Sequence, residues 1–194
     1  GIGLVGGAIV HDPRVDRRFN RALVFAADGR FVAGYDKLHL PSEEGFWESD
    51  HYAPGDAPPQ RIDGFGLPLG VQICSDLNRP EGCHLLGALG VEAILAPRAT
   101  PPGSYERWKT VIRANALTSG CYVLSANRPA EEGVPLGSPS LAVAPDGTVL
   151  AESTDEIRVV ELDGTVVAAA RREYPGYLAV RAELYARGWA TLRS

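Results

Sequence analysis

Apolar and polar positions fall in short blocks along the chain, and the blocks predict an ordered series of strands and helices. Residues 1–10 form a glycine-rich apolar run that reads as a buried strand. The run holds a literal G-x-G-x-x-G at Gly1, Gly3 and Gly6, but a dinucleotide fingerprint needs a strand before it and a helix after it. His11-Asp12-Pro13 interrupts any such helix. Residues 22–26 and 31–35 are strand-like runs joined by Ala27-Asp28-Gly29-Arg30, an Asp-Gly hairpin signal. The same turn chemistry returns at Pro145-Asp146-Gly147 between runs at 141–144 and 148–151, so two similar halves are expected. Further strands are predicted at 69–73, 91–96 and 122–126. Between them, Pro80 opens a helical pattern that Gly90 stops. A second helix is predicted over 105–119, with Trp108, Val111, Ile112 and Leu117 on one face and Gly120 as its stop. Residues 157–162 predict a last strand, 165–172 a short helix, and 174–194 a tail with aromatic anchors. Alternating strands and helices flanked by hairpins describe a layered α/β domain.

Candidate chemistry gathers at Gly70-Val71-Gln72-Ile73-Cys74-Ser75-Asp76, where a strand meets a sharp turn before a helix. Ligand sites in open α/β sheets lie at the carboxyl ends of strands. A cysteine there faces the positive end of the next helix, which favours the thiolate; the competing reading is a small buried hydrophobe. Lys37 ends the second strand of the first hairpin and leads into residues 42–68, a long segment rich in Pro, Gly and acidic residues. Trp47 and Tyr52 argue that this segment is ordered, and it carries Glu43, Glu44 and Glu48. Cys83 and Cys121 read as packing residues.

Composition narrows the classes. The chain has 194 residues and a net charge of -5, which argues against a nucleic-acid-binding surface. No apolar run approaches a membrane span. Three widely spaced cysteines form no disulfide framework, so a reducing, cytoplasmic setting is expected. No G-x-S-x-G is present, and the four histidines are scattered, so neither a serine elbow nor a metal site is expected.

The blocks Tyr35-Asp36-Lys37-Leu38-His39-Leu40-Pro41, Glu48 before Pro54-Gly55-Asp56, and Gly70 to Asp76 with Pro80-Glu81 resemble the nitrilase superfamily of carbon–nitrogen hydrolases. The resemblance continues through Arg113-Ala114-Asn115-Ala116, Tyr122-Val123 with Asn127, and Pro145-Asp146-Gly147. It implies a four-layer α-β-β-α sandwich, here missing its first strand–helix units, over residues 1–175, with a 176–194 tail packed on the domain or a partner subunit. It further implies a homodimer or higher homo-oligomer and no cofactor or metal. Cys74 is the implied nucleophile, Lys37 and the Ser75 N–H the oxyanion donors, and Glu48 the second glutamate that holds Lys37. The family's first glutamate precedes the strand that here begins at Gly1, so no residue is assigned to it, and poor activity of this chain alone is expected. Asn78 stands where some branches place a carboxylate-binding arginine. Arg79 is the neighbouring substitute. Arg98 reads either as a second anion contact or as a surface arginine. The expected substrate is a small linear amide or N-carbamoyl amine. A non-catalytic scaffold and an amide-to-amine acyltransferase remain the alternatives.

Overall fold

The computed structural model describes residues 1–192. Strands β1 (Leu4–Asp12), β2 (Arg17–Phe25) and β3 (Phe31–Asp36) pair antiparallel in that order. A second sheet runs β4 (Leu69–Val71), β5 (Ala93–Leu95), β6 (Tyr122–Ser125), β7 (Ser140–Val143), β8 (Val149–Ser153). Its first three strands are parallel and its last two antiparallel. Gly29 and Gly147, at φ 85° and 82°, close the two Asp-Gly hairpins, a backbone region that residues with a Cβ rarely enter.

Side chains alternate across β5. Ile94 points to helices α2 (Pro80–Ala88) and α3 (Tyr105–Ser119), which bury Cys83, Leu86, Ile112 and Ala116 against Val123 and Val143. Ala93 points the other way, where Val71 and Tyr122 pack on Ala22, Val24 and Tyr35 of the three-stranded sheet. Helices, five-stranded sheet and three-stranded sheet thus stack as in an α-β-β-α sandwich. Each fully buried Leu or Ile contributes about 1.5–3 kcal/mol to holding the layers. Close approach depends on missing side chains. A Cβ on Gly70 would come within 2.7 Å of Leu86, and one on Gly87 within 2.4 Å of the Ser119 carbonyl. This keeps α2 tight on β4 and starts it beside the turn that carries Cys74.

Three expectations are corrected. The first strand is not buried, since Leu4 and Ile9 are 58% and 50% exposed and, among the described residues, β1 pairs with β2 alone. Leu117 is exposed, and Asn115 takes the buried place, because the inward face of α3 centres on Ile112 and Ala116, one turn apart. Residues 157–162 form no strand: the β-branched apolar residues are present, but no neighbour offers a ladder. Ile157, Arg158 and Val160 instead line a cavity of about 400 Å³ with Val5, Leu124 and Ala142. The short helices α1 (Glu48–His51), α4 (Gly164–Ala170) and α5 (Ala182–Trp189) complete the chain, and residues 177–192 are exposed throughout. Among the described residues, no helix is long and apolar enough to cross a membrane.

Candidate active site

After β4 the backbone stays extended to Ile73 and then turns at Cys74, whose φ of 47° is left-handed, into a short 3-10 helix, Cys74–Asn78. A side chain in that region costs about 1–2 kcal/mol and persists only where surroundings impose it. The surroundings here are visible. The Cys74 N–H donates to the Pro97 carbonyl at 3.0 Å, and Asn115 of α3 donates Nδ2–H to the Leu77 carbonyl at 2.8 Å. One neighbouring strand end and one helix therefore hold the turn.

Lys37 follows β3 and is 1% exposed. Its ammonium donates to both oxygens of Glu48, at 2.7 and 2.8 Å, and Asn20 of β2 donates to the same carboxylate at 3.3 Å. The Lys37 carbonyl also accepts the Gly55 N–H at 2.9 Å, so the acidic segment is tied to the strand end that carries the lysine. Lys37 and Glu48 are thus paired, and both act on the Cys74 thiol from other elements of the fold.

The fixing group between them is one that sequence reasoning left without a role. Asp76 is 0% exposed and its carboxylate gathers five donors. Leu38 N–H, His39 N–H and His39 Nδ1 reach Oδ1 at 3.2, 2.9 and 2.9 Å. The Tyr35 hydroxyl and the Ile73 N–H reach Oδ2 at 2.9 and 3.1 Å. One carboxylate therefore joins the residue after Lys37 to the residue before Cys74. The available signal was an acidic side chain three residues past an extended Ile73, a helix-start position, inside an apolar run.

Electrostatics correct the expectation of an easily ionised thiol. Burial pushes the Cys74 thiol up, and this outweighs the Lys37 ammonium and the Ala99 and Ser75 N–H groups, which pull it down, while Glu48 adds to the push. The helix that follows Cys74 directly has only five residues, too short to offset burial. The Ser75 N–H does face the sulfur, and its hydroxyl donates to the His39 carbonyl.

Asn78 and Arg79 are exposed and make no side-chain hydrogen bond among the described residues. Arg98 is no surface arginine: it is 5% exposed, and its donors go to Ser125, Thr100, Ser138 and the Pro139 carbonyl. That leaves little of the guanidinium for a substrate anion. Cys83 and Cys121 are fully buried in the helix-side core, as read from the sequence. Among the described residues, no group of three or more His, Cys, Asp or Glu is placed to hold a metal ion.

Comparison with known proteins extends this picture. An omega-amidase of Saccharomyces cerevisiae is 31% identical over 89% of this chain and 62% of its own length. An (R)-stereoselective amidase of a Pseudomonas species is 34% identical over 88% of this chain and 61% of its own length. This chain thus spans less than two thirds of those relatives. The crystal structure of a Saccharomyces cerevisiae nitrilase-superfamily protein superposes with a TM-score of 0.81 at 28% identity, covering 93% of this chain and 66% of that one. The sequence profile of the carbon-nitrogen hydrolases matches residues 1–172, from the first strand through the turn that holds Cys74 to the end of α4, and the chain belongs to that family.

Proposed function

We propose that Cys74 is the nucleophile of an amide-hydrolysing site. Amides are poor electrophiles, so the reaction needs a strong nucleophile and donors aimed at the developing oxyanion. The observation that carries this reading is the buried Lys37 ammonium, clamped by Glu48 and acting on the Cys74 sulfur at a strained turn. In this reading, Cys74 attacks the carbonyl carbon, Lys37 and the Ser75 N–H stabilise the oxyanion, and the amine leaves behind a thioester that water resolves. A single oxyanion donor is typically worth about 3–4 kcal/mol of barrier. Glu48 holds the lysine; with both oxygens engaged by Lys37, it is not proposed as the proton acceptor. Glu43 and Glu44 are exposed and are not proposed either. Turnover by this chain alone is therefore expected to be slow.

Small linear amides and N-carbamoyl amines are the proposed substrates, in keeping with relatives named as amidases. A homodimer is proposed because the tail exposes Tyr177, Leu178, Leu184, Tyr185 and Trp189, apolar area that a second copy would cover. Three free cysteines fit the proposed cytoplasmic setting.

The test is incubation with a panel of small amides and N-carbamoyl amines, followed by mass analysis of the Cys74 peptide. A thioester on Cys74 that disappears in Cys74→Ala and in Lys37→Met is expected. Release by water supports a hydrolase and release by added amine an acyltransferase. The raised Cys74 thiol is the observation on the side of a non-catalytic scaffold. Absence of any adduct, with iodoacetamide showing no preference for Cys74 over Cys83 and Cys121, would establish that scaffold instead.

A further inference from the structure

Arg98 has no carboxylate partner among the described residues, although it is 5% exposed. Its Nε donates to Ser125 Oγ at 2.9 Å, Nη1 to Ser138 Oγ at 2.8 Å and to Thr100 Oγ1, and Nη2 to the Pro139 carbonyl. Every acceptor is neutral, so the hydrogen bonds are satisfied while the charge is not. Asn127 reinforces the same contact. Its Oδ1 accepts the Thr100 N–H at 3.0 Å, and its Nδ2 donates to the Ser138 carbonyl at 2.6 Å. Residues 97–100 are thereby fastened to the loop before β7.

The fastened loop touches the nucleophile twice. The Pro97 carbonyl accepts the Cys74 N–H at 3.0 Å, and the Ala99 N–H lies close enough to pull the Cys74 thiol down. Arg98 is the residue between those two contacts. Its side chain bonds Ser125 of β6 and interacts with Tyr105 of α3 and with Cys74. Burial lowers the guanidinium from its usual range, but arginine keeps its charge at neutral pH.

We propose that Arg98 is a positioning residue for Cys74: its side chain clasps the 97–100 loop so that the Ala99 N–H stays close to the sulfur, and its unneutralised charge favours the thiolate. This rests on the reading of Cys74 as the nucleophile. The charged groups acting on Cys74 are Lys37 from the end of β3, Glu48 from α1 and Arg98 from beyond β5, while Asp76 of the same short helix turns its carboxylate to Tyr35, Leu38, His39 and Ile73. Tyr105 of α3 faces Arg98. In this proposal Arg98 adds to Lys37, the cation that acts most strongly on the Cys74 thiol.

The test is the pH profile of iodoacetamide alkylation at Cys74, read by mass spectrometry on the full chain and needing no turnover. Arg98→Met is expected to move the midpoint up by about one pH unit, about tenfold in rate below the midpoint. Arg98→Lys, which keeps the charge but not the fork, is expected to recover most of that rate. Ser138→Ala removes one clasp bond and keeps the charge, so its melting temperature should fall and its midpoint should rise by less than that of Arg98→Met. A folded Arg98→Met with the parent midpoint overturns the proposal. If Arg98→Met does not fold, Arg98→Lys decides, and a shift of a full unit in that variant overturns the role of the charge. Equal labelling of all three cysteines in the parent chain sinks the nucleophile reading as well. Preferential labelling of Cys74 that ignores Arg98 sinks this proposal alone.

Discussion

Among the charged side chains buried around Cys74, Asp76 and Arg98 are satisfied in opposite ways. Asp76 sits in a nest of five donors drawn from β3, the segment after it and the strand end before Cys74. Arg98 sits among neutral acceptors drawn from β6 and the loops around it. Backbone N–H groups are numerous at strand ends, so a carboxylate can be solvated there by the fold itself. A guanidinium needs carbonyls and hydroxyls, and here it finds three hydroxyl side chains. The anion fixes where Lys37 lies relative to Cys74; the cation sits on the loop that hydrogen-bonds Cys74. Geometry comes from the first, and the second adds, in the proposal above, to the Lys37 charge at the sulfur.

The comparison breaks first at Asp76. Asp76→Asn turns one acceptor oxygen into a donor amide facing donors, and is expected to cost about 3–5 kcal/mol, measured by urea unfolding. A loss below about 1 kcal/mol would mean the five hydrogen bonds do not hold the site together. Next comes Lys37→Met, expected to slow thioester formation by about 10²–10³-fold, the size of one lost oxyanion donor. A rate within threefold of the parent would remove Lys37 from the chemistry.

Cys83 sharpens the contrast, because it is buried with neither kind of solvation. Burial first, then the nearby Cys121 and Asp76 charges, push its thiol up from 9.0 to about 12. The folded state therefore favours the protonated thiol, and that stability is present below about pH 9 and lost as pH rises toward 12. Unfolding free energy should fall by up to about 1.4 kcal/mol per pH unit across that window. Cys83→Ala should show a shallower slope by that amount, and an identical slope would mean the thiol titrates normally. The smallest expected effect is Ser138→Ala, about 1 kcal/mol for one hydrogen bond in the Arg98 clasp, read from thermal melting. A loss as large as that of Asp76→Asn would make the clasp, and not the carboxylate, the main anchor.

What could be read from the chain was local. Pro80, Gly90 and Gly120 bound their helices because φ restrictions act within a residue or two, and both Asp-Gly turns close hairpins for the same reason. Cys74, Lys37 and Glu48 were legible because motif blocks of a known family carry them in order. Asp76 was part of such a block but had no visible role, since its partners Tyr35, Leu38 and His39 lie about forty residues away in sequence. Residues 157–162 are rich in β-branched residues and still make no strand, because a strand is a relation between two segments and its partner cannot be read from one.

By itself, then, the sequence determined the order of elements and most of their ends, set by short-range sterics and hydrophobic period, and named the candidate site residues by family resemblance. Only the tertiary structure decided which charges are buried and what solvates them. It showed that burial raises the Cys74 thiol despite Lys37, and that Arg98 is buried and not on the surface. Desolvation and Coulomb interaction depend on distances through space, and those exist only once the sheets and helices have closed around the site.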